Sequence, residues 1–305
     1  MGGGNQPQEE TMKTIDTLVQ DIEQTIFGHN GWDKTLGDFM ANNISTMAEQ
    51  RFAKPQEPRG YLSLSALGTQ CERKLWYKIN KTTQAEPLSA STLLKFFYGD
   101  IIEELVLTIA AVSGHSVTGM QDRMDVHGIK GHRDAVIDGM TVDVKSASPF
   151  AFKKFKEGNL REDDPFGYIS QLSSYVYAAK DDQKVTNKTQ GAFLVIDKVN
   201  GNVCLDVYDF TEEMQDKEKE VAHLKEMVSL SEPPARAFKP VPQSPKNPKG
   251  NKKLPMACSY CDFKKECYPN LRKFIYSDKP LFLTEVVKKP MVAEDLEYSL
   301  GLQQE

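Results

Sequence analysis

No stretch of this 305-residue sequence stays apolar long enough to span a bilayer, so a membrane-embedded function is not expected. Positive charge is not in surplus either. Lys and Arg number 38 against 43 Asp and Glu, a net charge of -5, which excludes attraction to a polyanion by the surface as a whole. Any nucleic acid would have to be met by local basic patches. Cysteine is scarce and odd in number, five in all, which argues against a secreted disulfide framework and for a reducing compartment. The opening MGGGNQPQEE lacks the basic and apolar segments of a signal peptide, and Gln6 departs from the Ser or Thr of a myristoylation signal. The expected address is the cytoplasm, that of a host cell if the gene is viral. There is no G-x-x-x-x-G-K-[ST] phosphate loop, so ATP-driven work would need a separate protein, and there is no repeat of solenoid period. What remains, 39% hydrophobic and 27% charged, is the composition of a globular chain able to bury one substantial core.

Within that ordinary background, GHRDAVIDGMTVDVKSA (131–147) stands out. Asp138-Gly139 is a two-residue turn signal that tolerates positive φ, and alternating residues flank it, so strands are expected at 132–137 and 140–146. In that register, facing residues have numbers that sum to 277. Asp134 then lies opposite Asp143, and Lys145 sits two residues along the same face, because strand side chains alternate. Ala135, Ile137, Val142 and Val144 form the apolar face. Carboxylates directly across a strand pair, with Cβ atoms about 4.5 to 5.5 Å apart, repel each other. A hard divalent cation such as Mg²⁺ or Mn²⁺ would remove that repulsion and could carry a nucleophilic water. The bland alternative is an exposed hairpin whose polar face meets solvent.

A second signal is the spacing of the thiols. Cys258, Cys261 and Cys267 form C-x2-C-x5-C, and Cys71 opens the segment Cys71-Glu72-Arg73-Lys74-Leu75-Trp76-Tyr77 far upstream. Three thiols and one make four soft ligands, enough for a [4Fe-4S] cluster or a structural zinc, between which spacing does not choose. Cys204 lies in an alternating strand pattern, Asn202 to Val207, and reads as a buried free thiol outside this set.

The order Gly131-His132-Arg133-Asp134, then Asp143-Val144-Lys145, then Gln171-Leu172-Ser173-Ser174-Tyr175 resembles the active-site sequence of the PD-(D/E)XK nucleases, in their RecB-type arrangement. The resemblance implies that Asp134 and Asp143 bind metal, that the Val144 carbonyl can add a ligand, that Lys145 assists hydrolysis, and that Gln171 and Tyr175 contact the site or DNA. Gln171 and Tyr175 also share a helix face, being i and i+4 on an expected helix at 165–180. In Phe96-Phe97-Tyr98-Gly99-Asp100-Ile101-Ile102-Glu103-Glu104, Glu103 matches the family's further ligand four residues after the glycine, in preference to Glu104. Iron-sulfur exonucleases of this superfamily, including CRISPR-adaptation and AddB-type nucleases, carry one Cys before the core and three after it. This chain has that split, so the resemblance favours a [4Fe-4S] cluster over zinc.

Periodicity supplies the frame. Helices are expected at 11–27 and 34–50, from Ser63 or Ser65 into the Cys71 motif, at 91–112 and at 211–229. Strands are expected at 116–126, 130–138, 140–146, 191–197 and 202–209. The fold class that follows is α/β: a mixed central sheet flanked by helices, with the resemblance implying a PD-(D/E)XK core and an iron-sulfur-stapled helical subdomain. The organisation expected is an N-terminal helical extension (1–60), a core (61–230), a Pro- and Lys-rich linker with the cysteine triplet (231–270) and a charged tail (271–305). Candidate phosphate contacts are Arg73 and Lys74, then Lys153, Lys154 and Lys156, then Lys246, Lys249, Lys252 and Lys253. Together these readings imply a Mg- or Mn-dependent DNA exonuclease with DNA, and a helicase or recombination protein, as partners. The alternatives are a DNA-binding or scaffolding module without turnover and a structure-specific endonuclease.

Overall fold

The computed structural model describes residues 13–53, 60–82, 85–277 and 279–301. Gln6 and the first residues of the helix expected at 11–27 lie outside them. The chain enters through a short 3₁₀ turn into α1 (Leu18–Ile26), followed by α2 (Lys34–Phe52). Asp33 caps α2 by accepting from the N–H groups of Thr35 and Leu36, satisfying donors that a helix start leaves orphaned. The single helix expected to run from Ser63 into the cysteine motif is instead two, α3 (Leu64–Leu67) and α4 (Glu72–Asn80). Ser63 is buried and its hydroxyl meets that of Ser65 at 3.0 Å in place of a cap bond to the helix backbone. The long helix α5 (Ala90–Val112) follows, capped by Ser89.

Five strands come next: β1 (Val117–Thr118), β2 (Arg123–Val126), β3 (Ile129–His132), β4 (Ala135–Ile137) and β5 (Met140–Ala147). The expected strands at 116–126 and 130–138 are therefore each broken. The first breaks where Gly119 and Gln121 take φ of 60° and 54°, values incompatible with a pleated strand. The second breaks at Arg133, whose fully buried guanidinium turns to Asp122 and Asp182, both at 2.6 Å. The β4–β5 hairpin keeps the expected register, with Ala135 facing Val142 and Ile137 facing Met140 across Asp138 (φ 48°) and Gly139 (φ 80°).

After β5 come α6 (Pro149–Lys156), α7 (Tyr168–Ala178), β6 (Gln190–Asp197), β7 (Val203–Asp209), α8 (Thr211–Gln215) and α9 (Lys217–Ser229). The helix expected at 211–229 is split at Asp216, next to Lys217, whose buried ammonium reaches Ser173 Oγ on α7 at 2.9 Å and Glu220 at 2.6 Å. The central sheet has the order β1-β4-β5-β6-β7, with β5 and β6 parallel and all other pairs antiparallel. Parallel pairing requires a crossover, and α6 and α7 provide it. The fold is thus mixed α/β with helices on both faces. Leu18 and Ile22 of α1 and Val106, Leu107 and Ala110 of α5 cover Ala135, Ile137, Val142 and Val144 on one face. Phe152 and Phe155 of α6 and Leu172 and Val176 of α7 cover Ala147, Phe193 and Val195 on the other.

The remaining chain builds a second layer. β8 (Val241–Pro242), β9 (Lys252–Lys253), α10 (Met256–Ser259), α11 (Lys264–Cys267), β10 (Arg272–Ile275), β11 (Pro280–Glu285), β12 (Glu294–Asp295) and α12 (Leu296–Leu300) include a five-stranded sheet of order β12-β10-β11-β9-β8. The residues read as linker and charged tail therefore pair with each other. Among the described residues no helix is long and apolar enough to cross a membrane.

Candidate functional site

β5 carries Asp143 and Lys145 on the face covered by α7, because Val142 and Val144 point to α1 and α5 and side chains alternate. Asp143 is 2% exposed, and its Oδ2 meets Lys145 Nζ at 2.5 Å as an ion pair without regular hydrogen-bond geometry. Asp134 lies just before β4 and accepts from the Val144 N–H through Oδ2 at 2.7 Å, so the carboxylate hooks onto the neighbouring strand. Glu103, on α5, accepts from Gln121 Nε2 at 2.7 Å. Glu104 takes a different path: it is buried and accepts from Asn43 at 2.9 Å. Gln171 and Tyr175 occupy one face of α7, with Tyr175 buried.

Electrostatics tie these groups into one site. Burial, then the Asp143 charge, push the Glu103 carboxyl up to about 7. Burial, then Asp143 and Glu103, hold the Asp134 carboxyl well above the usual carboxylate range. Burial alone would lower the Lys145 ammonium, but Asp143 and Asp134 outweigh it and hold it above the ordinary lysine range. Burial raises Tyr175 to about 12. Carboxylates that suppress one another's ionisation in a low-dielectric site are stabilised by an added cation. The oxygen donors of Asp134, Asp143 and Glu103 suit a hard divalent ion in type, and the irregular contact at Asp143 Oδ2 leaves a buried acceptor for it. They are not closed into a cage: among the described residues, no group of three or more His, Cys, Asp or Glu side chains is arranged to hold a metal ion.

Three residues to which motif reading gives no role shape this site. Gln121 bridges two of its parts, donating its backbone N–H to the Asp134 carbonyl at 3.1 Å and its side chain to Glu103. Arg133 anchors the turn that presents Asp134. Tyr168 lies under Lys145, whose Nζ is 4.9 Å from the ring centroid, a cation–π contact. None belongs to a periodic pattern, and their roles depend on long-range partners.

The cysteines meet elsewhere. Cys71 precedes α4, and Cys258, Cys261 and Cys267 lie on and between α10 and α11, yet all four line one pocket. Burial, then the neighbouring thiols, raise Cys258 to about 12, and burial raises Cys261 to about 11. Four thiols of this kind suit a soft metal or an iron-sulfur centre in donor type. The two segments are joined by Tyr77 stacked on Phe263 at 5.7 Å, by the Glu86 N–H donating to the Asp262 carbonyl at 2.8 Å, and by the Lys264–Glu86 ion pair. Cys204 is buried on β7 and contacts the central core. Of the candidate phosphate contacts, Arg73 is committed to the carbonyl of Pro234 at 2.7 Å and to Tyr77 Oη at 2.9 Å, and Lys154 to Asp163. Lys252 reaches the Pro248 carbonyl at 2.6 Å.

The two centres touch through glycine. Gly68, three residues before Cys71, and Gly167, four before Gln171, press backbone to backbone: a Cβ on Gly68 would lie 2.0 Å from the Gly167 carbonyl oxygen, and one on Gly167 would lie 1.6 Å from that of Gly68. Gly167 also takes φ of 73°. Gln70 reinforces the junction by donating to the Asp164 carbonyl at 2.8 Å.

No family model matches this chain, and no curated protein matches it. Among solved structures, the crystal structure of SSO0001 is similar over 74% of this chain and 93% of that one, at 15% identity and a TM-score of 0.36. That likeness is too low to carry an argument about function.

Proposed function

We propose that this chain is a divalent-metal-dependent DNA nuclease of PD-(D/E)XK type, acting from DNA ends, with its cysteine pocket filled by a structural [4Fe-4S] cluster. The observation that carries the reading is the convergence of three carboxylates on one lysine-bearing strand: Asp134 held by the Val144 N–H, Asp143 paired with Lys145, and Glu103, whose carboxyl is pushed up by burial and by the Asp143 charge. Asp134, Asp143 and Glu103, with the Val144 carbonyl, would hold Mg²⁺ or Mn²⁺, which supplies a Lewis acid and a water of lowered pKa. Lys145 would release Asp143 to the ion and place its ammonium on the attacked phosphate, where negative charge develops. Tyr168, whose ring lies under that ammonium, would limit water around it. Four thiolates on one centre leave no open position for chemistry, so the cluster would staple the Cys71 segment to the C-terminal layer. Zinc would fill the same structural role.

Digestion of end-labelled linear DNA by anaerobically prepared protein with Mn²⁺ tests the reading, comparing wild type with Asp143→Ala and Lys145→Ala. Loss of nucleotide release in both variants is expected, with iron content retained. Full activity in both would sink the assignment. The Lys145–Asp143 ion pair favours one second reading, a DNA-binding module without turnover, which predicts binding but no release by wild type. Cutting of covalently closed circular DNA would assign an endonuclease instead.

A further inference from the structure

Positive charge is gathered in the C-terminal layer. Between residues 236 and 289 there are 13 Lys and Arg against 4 Asp and Glu, in a chain whose net charge is -5. Several of these cations are spent within the protein: Lys264 on Glu86, Arg272 and Lys289 on Glu294, Lys273 on Asp295, and Lys252 on the Pro248 carbonyl. Lys246, Lys249 and Lys288 are exposed, and their ammonium groups have no ion-pair or hydrogen-bond partner among the described residues.

The loop that carries the first two is built of successive turns, Ser244-Pro245-Lys246-Asn247 and Asn247-Pro248-Lys249-Gly250. The Asn247 N–H closes one on the Ser244 carbonyl at 3.0 Å, and the Gly250 N–H closes the other on the Asn247 carbonyl at 3.1 Å. Each turn has proline at its second position, where a fixed φ is suited, and lysine at its third. A Cβ on Gly250 would lie 2.5 Å from Asn247 Nδ2, so the second turn closes tightly. Because β9 runs antiparallel to β11, the loop entering β9 and the loop leaving β11 meet at one end of the sheet. Asn251 joins them. Its Oδ1 accepts from the Val287 and Lys288 N–H groups, both at 2.8 Å, and its Nδ2 donates to the Lys288 carbonyl at 2.7 Å and to Gln243 Oε1 at 2.9 Å. Both donors and both acceptor positions of that amide are used. Three unpaired cations are thereby gathered at one end of the sheet, where their repulsion is relieved by an external polyanion.

We propose that this end of the C-terminal sheet is a docking surface for the phosphate backbone of duplex DNA, separate from the carboxylate site. The proposal rests on the nuclease reading and adds a second point at which the substrate is held, with Lys246, Lys249 and Lys288 on the phosphates. Residues 243–251 and 286–290 contain no aromatic side chain on which an unpaired base could stack. A duplex needs none: it offers one charge per about 1.7 Å of its axis, twice the density of one strand. Such contacts position the duplex without reading its sequence.

The test is binding without turnover. A labelled blunt duplex and one of its strands are titrated in EDTA by anisotropy, over salt from about 50 to 200 mM, the range in which phosphate contacts show. The triple variant Lys246→Gln, Lys249→Gln, Lys288→Gln should bind the duplex more weakly. Its plot of log affinity against log salt should flatten by about 0.9 for each lysine in contact, hence by roughly 2 to 3. The same three positions changed to Arg keep the charge and should bind as wild type does, which separates lost contacts from misfolding. Lys34→Gln, Lys198→Gln and Lys219→Gln together remove equal charge from other exposed positions and should leave the slope unchanged. An unchanged slope in the first triple variant, or equal flattening in the last, overturns the docking surface. So does a single strand that binds as tightly as the duplex and loses as much. Because no hydrolysis is read, a lysine-dependent grip in a protein that never degrades DNA would sink the nuclease reading alone. Degradation by a wild type whose duplex binding ignores these lysines would sink the docking surface alone.

Discussion

The carboxylate site and the cysteine pocket are both clusters of metal-ligand residue types, but they are assembled in opposite ways. Asp134, Asp143, Val144 and Lys145 come from one hairpin, whose two-residue turn sets which side chains face each other. The four thiols come from Cys71 and from a triplet nearly two hundred residues later, brought together by Tyr77 on Phe263 and by contacts around Glu86. A locally built site is held by backbone pairing and can keep its shape without a ligand. A site closed over a long loop has to offset the entropy of closure, which a shared metal centre does well. The first region is accordingly expected to serve chemistry, and the second, stability.

The sharpest way to break that contrast is to cross the readouts. Asp143→Asn should lower DNA degradation by about 10²- to 10³-fold or more, the order expected when a charge-stabilising group is lost, while the iron-sulfur absorbance and melting temperature stay those of wild type. Cys261→Ser should do the reverse first, removing the absorbance and lowering the melting temperature. Loss of iron in Asp143→Asn would show that the two regions are not separable. A zinc signal in place of iron, by metal analysis of wild type, would keep the staple and change its identity.

The junction between the regions gives the next largest effect. Gly68→Ala puts a methyl group 2.0 Å from the Gly167 carbonyl oxygen, so backbone must move, and a cost of about 1 to 3 kcal/mol or more follows by analogy with overpacked cores. Gly167→Ala adds the strain of φ 73° and should cost more. Denaturant titration of both variants checks the order, and wild-type midpoints in both would mean that this contact is looser than described.

A smaller effect is linked to pH. Glu103 is raised from 4.5 to about 7 in the folded chain, so in metal-free protein it contributes stability that is full below 4.5 and lost as pH rises through about 7. The physical reason is that ionisation remains easy in the unfolded chain and costly in the folded one. Melting of metal-free wild type should therefore fall across that window more than melting of Glu103→Gln. Mg²⁺ should also raise the melting temperature more at pH 8 than at pH 5. Identical slopes for wild type and Glu103→Gln would remove Glu103 from the coupled site. The smallest change expected is Cys204→Ala: a loss of about 1 kcal/mol from the central core, with metal content untouched. A drop in bound metal there would overturn the four-thiol assignment.

Much of the central layer was legible because its rules are local. The Asp138-Gly139 turn dictated the hairpin register, and i, i+4 spacing put Gln171 and Tyr175 on one face of α7. The breaks at 119–122 and at 133–134 were not legible, because they follow from Arg133 reaching Asp122 and Asp182, partners set by the fold. The same applies to Lys217, whose link to Ser173 accompanies the split between α8 and α9. The second sheet escaped notice because β8, β9 and β12 are two residues long, too short to show a period, and gain their regularity only from pairing.

The sequence by itself determined the pieces: the turn and register of the β4–β5 hairpin, which thiols stand together after residue 257, and which helices have an apolar side. Only the tertiary structure decided how those pieces meet. It set β5 parallel to β6, brought Cys71 to the triplet, turned Glu104 to Asn43 while Glu103 joined Gln121, and drew Tyr168 under Lys145. The division has one physical cause. Turn geometry and helical or strand periodicity act over a few residues and are written in neighbouring letters, whereas burial, ion pairing and loop closure act between residues far apart in the chain and exist only once it has folded.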